Sequence, residues 1–130
     1  MVYVYYYDTQ DESKNIGIPD FRLVDGYNMQ FVNISKDQAQ DILNNLDYES
    51  YVRISAIADE LTKILGIEID RNTKSIPVKT DEELISNQYL EARINDKYNP
   101  EEDSLEDKYL FYITHYYNDD NPSSVQPYIE

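Results

Sequence analysis

The sequence predicts a single α+β domain, with an antiparallel or mixed sheet of roughly four to six short strands and about three helices packed mainly on one face. Two observations support this prediction. Runs of β-branched and aromatic residues, at 2–7 and 108–117, are typical of strands. Other segments repeat apolar residues every three or four positions, as helices with one buried face do. The domain is placed at residues 1–117, and residues 118–130 are predicted to be a loose tail.

Residues 21–34 are predicted to form a hairpin, because an Asp-Gly turn signal lies between two apolar runs. A three-residue loop at 24–26 sets Leu23 opposite Tyr27 and gives the hairpin one apolar face. Gly26 would then be the left-handed residue of a bulge.

Two consecutive helices are predicted next. Ser35 and Gln38 have the spacing of a capping box, which predicts a helix over residues 36–46. A longer helix is predicted from Asp47, its N-cap, to Gly66, where a left-handed residue ends it. The two helices would meet in a tight corner. The predicted buried positions are Ala39, Ile42, Leu43 and Leu46 in the first, and Tyr51, Ile54, Ala58, Leu61 and Leu65 in the second.

A second, smaller hairpin is predicted at residues 67–79, because apolar and polar residues alternate at 67–70 and again at 75–79. Proline cannot donate a ladder hydrogen bond, so Pro77 would place the second of these strands at a sheet edge.

The final helix and strand follow an acidic helix start. Thr80 and Glu83 form another capping box, which predicts a helix running to about residue 95. The run at 108–117 is the strongest strand of the chain, and we expect it to pair with the first strand near the sheet centre. An acidic loop around Pro100 separates this helix from the last strand.

Charge is the most unusual property of the sequence. Asp and Glu number 26 against 11 Lys and Arg, for a net charge of -15. Such a balance disfavours direct binding to nucleic acid or to an anionic membrane, because phosphates are held by Lys and Arg. The absence of cysteine removes disulfides and thiolate chemistry and is typical of a reducing compartment. We therefore expect a cytoplasmic protein, in the host cytoplasm if a phage encodes it.

No arrangement of residues predicts catalysis. His115 is the only histidine, and no nucleophile motif or second histidine accompanies it, so a structural or surface role is expected. The three glycines are isolated, which argues against a phosphate-binding loop. The acids lack the order of ligands in an EF-hand loop. We predict no catalytic residue, no metal site and no cofactor.

Acidic residues are concentrated towards the C-terminus, where residues 98–130 hold eight Asp and Glu and a single lysine. A loop of this composition could face a row of basic side chains on a partner. A second cluster opens the helix after Thr80, where its charges also favour the helix dipole. The predicted partner-binding residues are Glu101, Glu102, Asp103, Glu106 and Asp107 as the main contact, with Asp81, Glu82 and Glu83.

Tyrosine is the second unusual feature, with 14 residues against three Phe and no Trp. Strand alternation puts Tyr3, Tyr5 and Tyr7 on one face of the first strand, and neither face of that strand is polar. Tyrosine both fills sheet cores and is enriched at interfaces. Both roles are expected, and a homodimer through these strands is one consequence.

Three hypotheses of function follow. The first is a non-enzymatic acidic inhibitor or nucleic-acid mimic that blocks the basic nucleic-acid-binding surface of a protein. In general composition, and not in any motif, the chain is similar to small acidic phage proteins of anti-CRISPR or anti-restriction type. The second is an immunity protein that neutralises a basic nuclease toxin. The third is a viral or cellular assembly component that uses a Tyr-rich sheet interface.

Overall fold

The structure is a computed structural model that describes residues 1–119. The described chain forms one five-stranded mixed sheet with three α-helices, which confirms the predicted α+β class. The predicted loose tail falls largely on residues 120–130, outside the described residues. No helix within residues 1–119 is long and apolar enough to cross a membrane.

The strands are β1 (Val2–Tyr6), β2 (Asn28–Ile34), β3 (Tyr48–Ser50), β4 (Gln88–Ile94) and β5 (Tyr109–Tyr117). The helices are α1 (Lys36–Asn45), α2 (Ser55–Leu65) and α3 (Asp81–Ser86).

The strand order is β2-β5-β4-β1-β3. Strand β1 is parallel to both of its neighbours, β3 and β4, whereas β5 is antiparallel to β2 and β4. The prediction that the first and last strands pair with each other is therefore wrong. They are separated by β4, a strand that the sequence pattern had assigned to a helix.

The predicted helix from Asp47 to Gly66 is correct only in its second half. Residues 48–50 form β3, and helix α2 begins after Ile54, which is exposed rather than buried. The backbone of this segment bonds to the first strand instead: Val2 N–H donates to the Asp47 carbonyl at 2.8 Å. A strand thus separates α1 from α2, and the predicted tight corner does not form. Gly66 ends α2 with φ of 65°, as predicted.

The helix predicted to run to residue 95 ends at Ser86. Its capping box is present, since the Thr80 hydroxyl accepts from Glu83 N–H at 3.1 Å. The chain then turns into β4, which is paired on both sides and buried on both faces. Two-sided pairing satisfies the backbone of residues 88–94 as well as a helix would, and it adds long-range packing.

Neither predicted hairpin forms. Residues 28–34 pair with β5 and not with residues 21–23. Residues 24–27 make a turn in which Tyr27 N–H donates to the Val24 carbonyl, with Gly26 at φ of 84°. In the second segment, Ile69 and Ile76 are buried on opposite faces of the sheet, so they cannot belong to one small hairpin.

The sheet has a core on each face. Helices α1 and α2, the first of which begins with the predicted capping box at Ser35, cover one face, and their buried residues contact Val2, Val4, Leu90 and Ile113. The other face carries Tyr3, Tyr5 and Tyr89, and helix α3 covers it through Leu84. We call these the α1/α2 face and the α3 face. The alternation predicted for the first strand is correct, because its tyrosines at 3, 5 and 7 share the α3 face.

Candidate interaction surface

The acidic loop, residues 96–107, joins the end of β4 to the start of β5 and is held by one asparagine at its base and one within it. Asn95 Nδ2 donates to the Asp107 carbonyl at 3.0 Å, and this closes the base of the loop. The Asn99 carbonyl accepts from Asp103 N–H at 2.8 Å, while Asn99 N–H donates to an oxygen of the Asp103 carboxylate at 2.8 Å. These hydrogen bonds give the loop a defined conformation, although several of its acids are adjacent in sequence.

The five predicted contact residues in this loop are all exposed, but they differ in their surroundings. Asp103 and Asp107 accept hydrogen bonds within the loop, and Glu106 lies 3.4 Å from Lys36 Nζ. In the described part of the chain, no ion pair involves Glu101 or Glu102. Among the five loop residues, these two carboxylates are the ones that a partner could pair without breaking a contact in the protein.

The second predicted cluster lies elsewhere. Helix α3 precedes β4 and the acidic loop follows it, so the two clusters lie at opposite ends of this strand. Asp81 already accepts from Arg22 Nε at 2.9 Å, and the Glu83 side chain completes the cap of α3. Glu82 is exposed in the first turn of that helix. The structure does not bring the two clusters together into one site.

The start of β5, next to the acidic loop, is tied to helix α2 on the α1/α2 face. Lys108 Nζ lies 2.8 Å from Glu60 Oε1, which also accepts a 2.6 Å hydrogen bond from the Tyr109 hydroxyl. Partial burial opposes ionisation of Glu60, but these two donors hold the pKa of its carboxyl below the ordinary value. A buried tyrosine and a paired lysine thus anchor the start of β5 beside the loop.

The α3 face of the sheet contains a group of aromatic residues around one arginine. The guanidinium of Arg93 lies 4.7 Å from the ring centre of Tyr112, 5.2 Å from that of Tyr7 and 5.7 Å from that of Phe31. Phe31 and Tyr112 stack almost in parallel, with centroids 4.8 Å apart and planes at 5°. We call Tyr7, Phe31, Arg93 and Tyr112 the aromatic platform.

A buried carboxylate holds this arginine in place. Glu91 is only 4% exposed, and its Oε2 accepts from Arg93 Nε at 2.6 Å, with a further contact to Arg93 Nη2. Its other oxygen accepts a 3.0 Å hydrogen bond from the Tyr5 hydroxyl. Burial and the neighbouring Glu91 raise the pKa of Tyr5 well above its ordinary value, so this phenol stays a donor.

The platform lies at the open end of the α3 face. At the other end, α3, Phe21 and Ile76 pack against the tyrosines of β1 and β4. At the platform end, Phe31 is 48% exposed and Arg93 retains about a quarter of its side-chain surface. An exposed stack of aromatic rings around a charge-paired arginine has the composition of an interface centre.

The sequence interpretation missed Glu91 and Arg93 because it placed both in a helix. A signal was available: Leu90, Ala92 and Ile94 alternate with residues of larger or charged side chains, which is the period of a strand. Once this segment is a strand, Glu91 and Arg93 must share one of its faces.

His115, for which a structural or surface role was predicted, lies inside the protein and not at its surface. It is buried on the α1/α2 face of β5, and burial lowers its pKa to about 4. Its ring lies 5.7 Å from that of Tyr117, with the two planes tilted by 32°. Among residues 1–119, no three His, Cys, Asp or Glu residues are grouped closely enough to hold a metal ion.

The architecture therefore defines an α+β protein with a five-stranded mixed sheet covered by helices on both faces. It is similar in fold to B116 of Sulfolobus turreted icosahedral virus. The TM-score is 0.54 at 11% sequence identity, over 88% of this chain and 97% of that one. No protein-family model and no curated protein sequence matches the chain. At this identity the likeness is one of fold.

Proposed function

We propose that this protein is a non-enzymatic acidic inhibitor that blocks the basic nucleic-acid-binding surface of a protein target, as anti-CRISPR or anti-restriction proteins of phages do. The observation that carries the proposal is the display of free carboxylates on an ordered loop. Glu101 and Glu102 are exposed on a turn that Asn99 and Asp103 hold in shape, within a chain of net charge -15. Carboxylates on a rigid support can occupy a row of Lys and Arg without first paying an ordering cost.

Five of the eleven basic residues support the same proposal. Lys14, Arg22, Lys36, Arg93 and Lys108 all lie within 4.0 Å of a carboxylate of this chain. Cations that are already paired contribute little to phosphate binding, and the other six are outnumbered by the excess of acids, 26 against 11 Lys and Arg, so a basic partner suits this chain better than nucleic acid. The similarity in fold to a viral protein supports a viral setting. Action in the host cytoplasm is part of the proposal.

The proposal is tested by measuring binding to purified basic nucleic-acid-handling proteins: CRISPR effector complexes, restriction endonucleases and nuclease toxins. We expect one of these to bind, to be displaced from its DNA or RNA, and to lose affinity as salt rises, because screening weakens exposed charge pairs. Affinity that is unchanged between low and high salt would contradict the electrostatic mechanism. A toxin as the bound partner would favour an immunity protein over an anti-defence inhibitor.

A second candidate function is an assembly component that uses the sheet. The observation that favours it is Phe31, which is exposed on an open sheet face and stacked on Tyr112. Sedimentation velocity over a range of concentrations distinguishes the two functions. Self-association that is lost in a Phe31→Ala variant would favour assembly, and a monomer at all concentrations would exclude it.

A further inference from the structure

The two edges of the sheet differ in how they are covered. At the β3 edge, the segment after α2 runs alongside: the Tyr48 hydroxyl donates to the Glu68 carbonyl at 2.8 Å, and Asn72 N–H donates to the Val52 carbonyl at 2.9 Å. At the other edge, no segment of residues 1–119 pairs with the outer side of β2. An edge strand left open in this way is a template for pairing with another strand.

The hydrogen-bond pattern shows which backbone groups of β2 point outward. Asn95 N–H donates to the Lys108 carbonyl at 2.9 Å and continues the β4–β5 ladder, so Lys108 directs its backbone towards β4. This direction alternates along an antiparallel strand, so the odd-numbered residues of β5 face β2, where they lie opposite its even-numbered residues. The N–H and C=O groups of Met29, Phe31 and Asn33 therefore point away from the sheet.

This edge lacks the features that normally protect an edge strand, which are charged side chains, proline and bulges. Residues 26–35 contain no Asp, Glu, Lys, Arg or Pro, and neither do residues 109–118, which include the neighbouring β5. The register of β2 against β5 has no bulge. In a chain of net charge -15, these two uncharged strands are where a second copy meets the least repulsion.

The residues of β2 fit a symmetric pairing. Phe31 is the middle residue of the strand and is 48% exposed. A two-fold axis beside Phe31 sets two antiparallel copies of β2 with Phe31 opposite Phe31 and Met29 opposite Asn33. Every outward-pointing residue is then in a hydrogen-bonded pair, for about six new hydrogen bonds. The two Phe31 rings become cross-strand neighbours on the α3 face.

We propose that two copies of this chain pair through the outer edges of β2, antiparallel and with Phe31 at the two-fold axis, so that their sheets become one continuous sheet. Because the β3 edge is covered, pairing of this kind stops at two copies. The inference goes beyond the proposed inhibition, which does not require a dimer. It also differs from an assembly through the sheet face, since backbone groups make the contact.

The test is sedimentation velocity of the full chain over a range of concentrations, with two variants of Asn33. Asn33→Pro removes the outward N–H and keeps Phe31, whereas Asn33→Ala, the matched control, keeps the N–H. Both lose the same side-chain bond to the Phe111 carbonyl. We expect wild type and Asn33→Ala to form dimers, and the dimer Kd of Asn33→Pro to rise at least about tenfold, because the symmetric pair loses two hydrogen bonds.

A second variant keeps the test decisive if Asn33→Pro does not fold, which circular dichroism and urea denaturation check. Phe31→Lys places two like charges together at the axis, and this half-exposed edge position tolerates lysine. It should be a folded monomer. Leu23→Lys is its matched control, because Leu23 is 82% exposed and lies outside β2, and this variant should still form dimers.

Salt separates this inference from the proposed function. Screening weakens the repulsion between two acidic copies, so dimerisation should strengthen as salt rises, whereas binding to a basic target should weaken. A dimer that binds no basic protein would uphold the inference and count against the proposed function.

Three results would overturn the inference. The first is a wild-type protein that stays a monomer at every concentration and salt level. The second is self-association that survives Asn33→Pro in a folded protein but is lost in Phe31→Ala, which would assign the contact to the sheet face. The third is dimerisation that persists in a folded Phe31→Lys variant, which would place the contact away from β2.

Discussion

Glu91 and Arg93 lie two residues apart on β4 and form an ion pair on one face of the sheet, with Arg93 Nε 2.6 Å from Glu91 Oε2. The carboxylate is buried, whereas the guanidinium reaches the surface among aromatic rings. The pair therefore links the core of the α3 face to its exposed platform, and Tyr5 fixes the carboxylate from the second side.

Replacing Glu91 by Gln should destabilise the protein by about 2–3 kcal/mol, because it leaves Arg93 without its counter-charge and weakens the bond from Tyr5. Urea denaturation followed by circular dichroism measures the loss. Glu49→Gln is the matched control: Glu49 also accepts from a tyrosine, Tyr51, but it is exposed on β3. We expect Glu49→Gln to lower the free energy of unfolding by less than about 1 kcal/mol. Equal losses in the two variants would show that the buried ion pair of Glu91 stabilises the protein no more than an exposed carboxylate does.

Reversing Glu101 and Glu102 to lysine should leave the fold intact and reduce binding to a basic target sharply. Exposed residues without structural contacts usually change stability by less than about 0.5 kcal/mol when substituted. Titration against the target, with urea denaturation in parallel, measures both effects. Reversal of Glu106 and Asp107 would also change stability, because Lys36 contacts the first of these carboxylates and Ser104 contacts the second.

The control for this reversal needs acids far from the loop. Asp37 does not serve, because it shares Lys36 with Glu106 and its reversal would perturb the loop itself. Asp25 and Glu68 are exposed and lie in other segments, and their reversal changes the net charge equally. An equal loss of binding from both pairs would mean diffuse attraction, and no loss from the loop pair would exclude the loop as the contact.

His115 should make stability depend on pH between its unfolded and folded pKa values. Burial lowers the folded pKa to about 4, against about 6.5 in an unfolded chain, so the unfolded state binds more protons in this range. The contribution of His115 is therefore fully present above about pH 6.5 and is lost as pH falls towards 4. Denaturation midpoints of wild type and His115→Gln across this range should converge as pH falls; parallel curves would contradict the prediction.

Gly17 and Gly26 allow the effect of a close backbone contact to be separated from that of a positive φ. Both have positive φ, at 89° and 84°, but only at Gly17 would an added Cβ meet another atom, Ser75 Cα at 2.9 Å. Gly26→Ala should lower the free energy of unfolding by about 1 kcal/mol, because alanine is strained at a positive φ. Gly17→Ala should lower the free energy of unfolding by about 1–3 kcal/mol more. The added Cβ would push Ser75 away, and the neighbouring hydrogen bond from Ile76 N–H to the Gly17 carbonyl would have to shift with it. Thermal denaturation measures both losses of stability. Equal losses would show that the backbone at Ser75 moves away from the added Cβ without a measurable loss of stability.

Local chemistry allowed several features to be predicted from the sequence. The capping boxes at Ser35 and Thr80, the left-handed Gly66 and the strands β1 and β5 each depend on a few neighbouring residues, and each is confirmed. The α+β class follows from the same signals. None of these features requires knowledge of what lies on the other side of the core.

Tertiary structure alone decided the rest. Residues 48–50 and 88–94 carry apolar residues compatible with either a helix or a strand, and pairing with β1 on opposite sides made both of them strands. That choice sets the strand order, buries Glu91, and places Arg93 among three rings contributed by β2, β5 and the residue after β1. Residues so far apart in sequence meet only because long-range strand pairing brings them together, so no local pattern could show the platform.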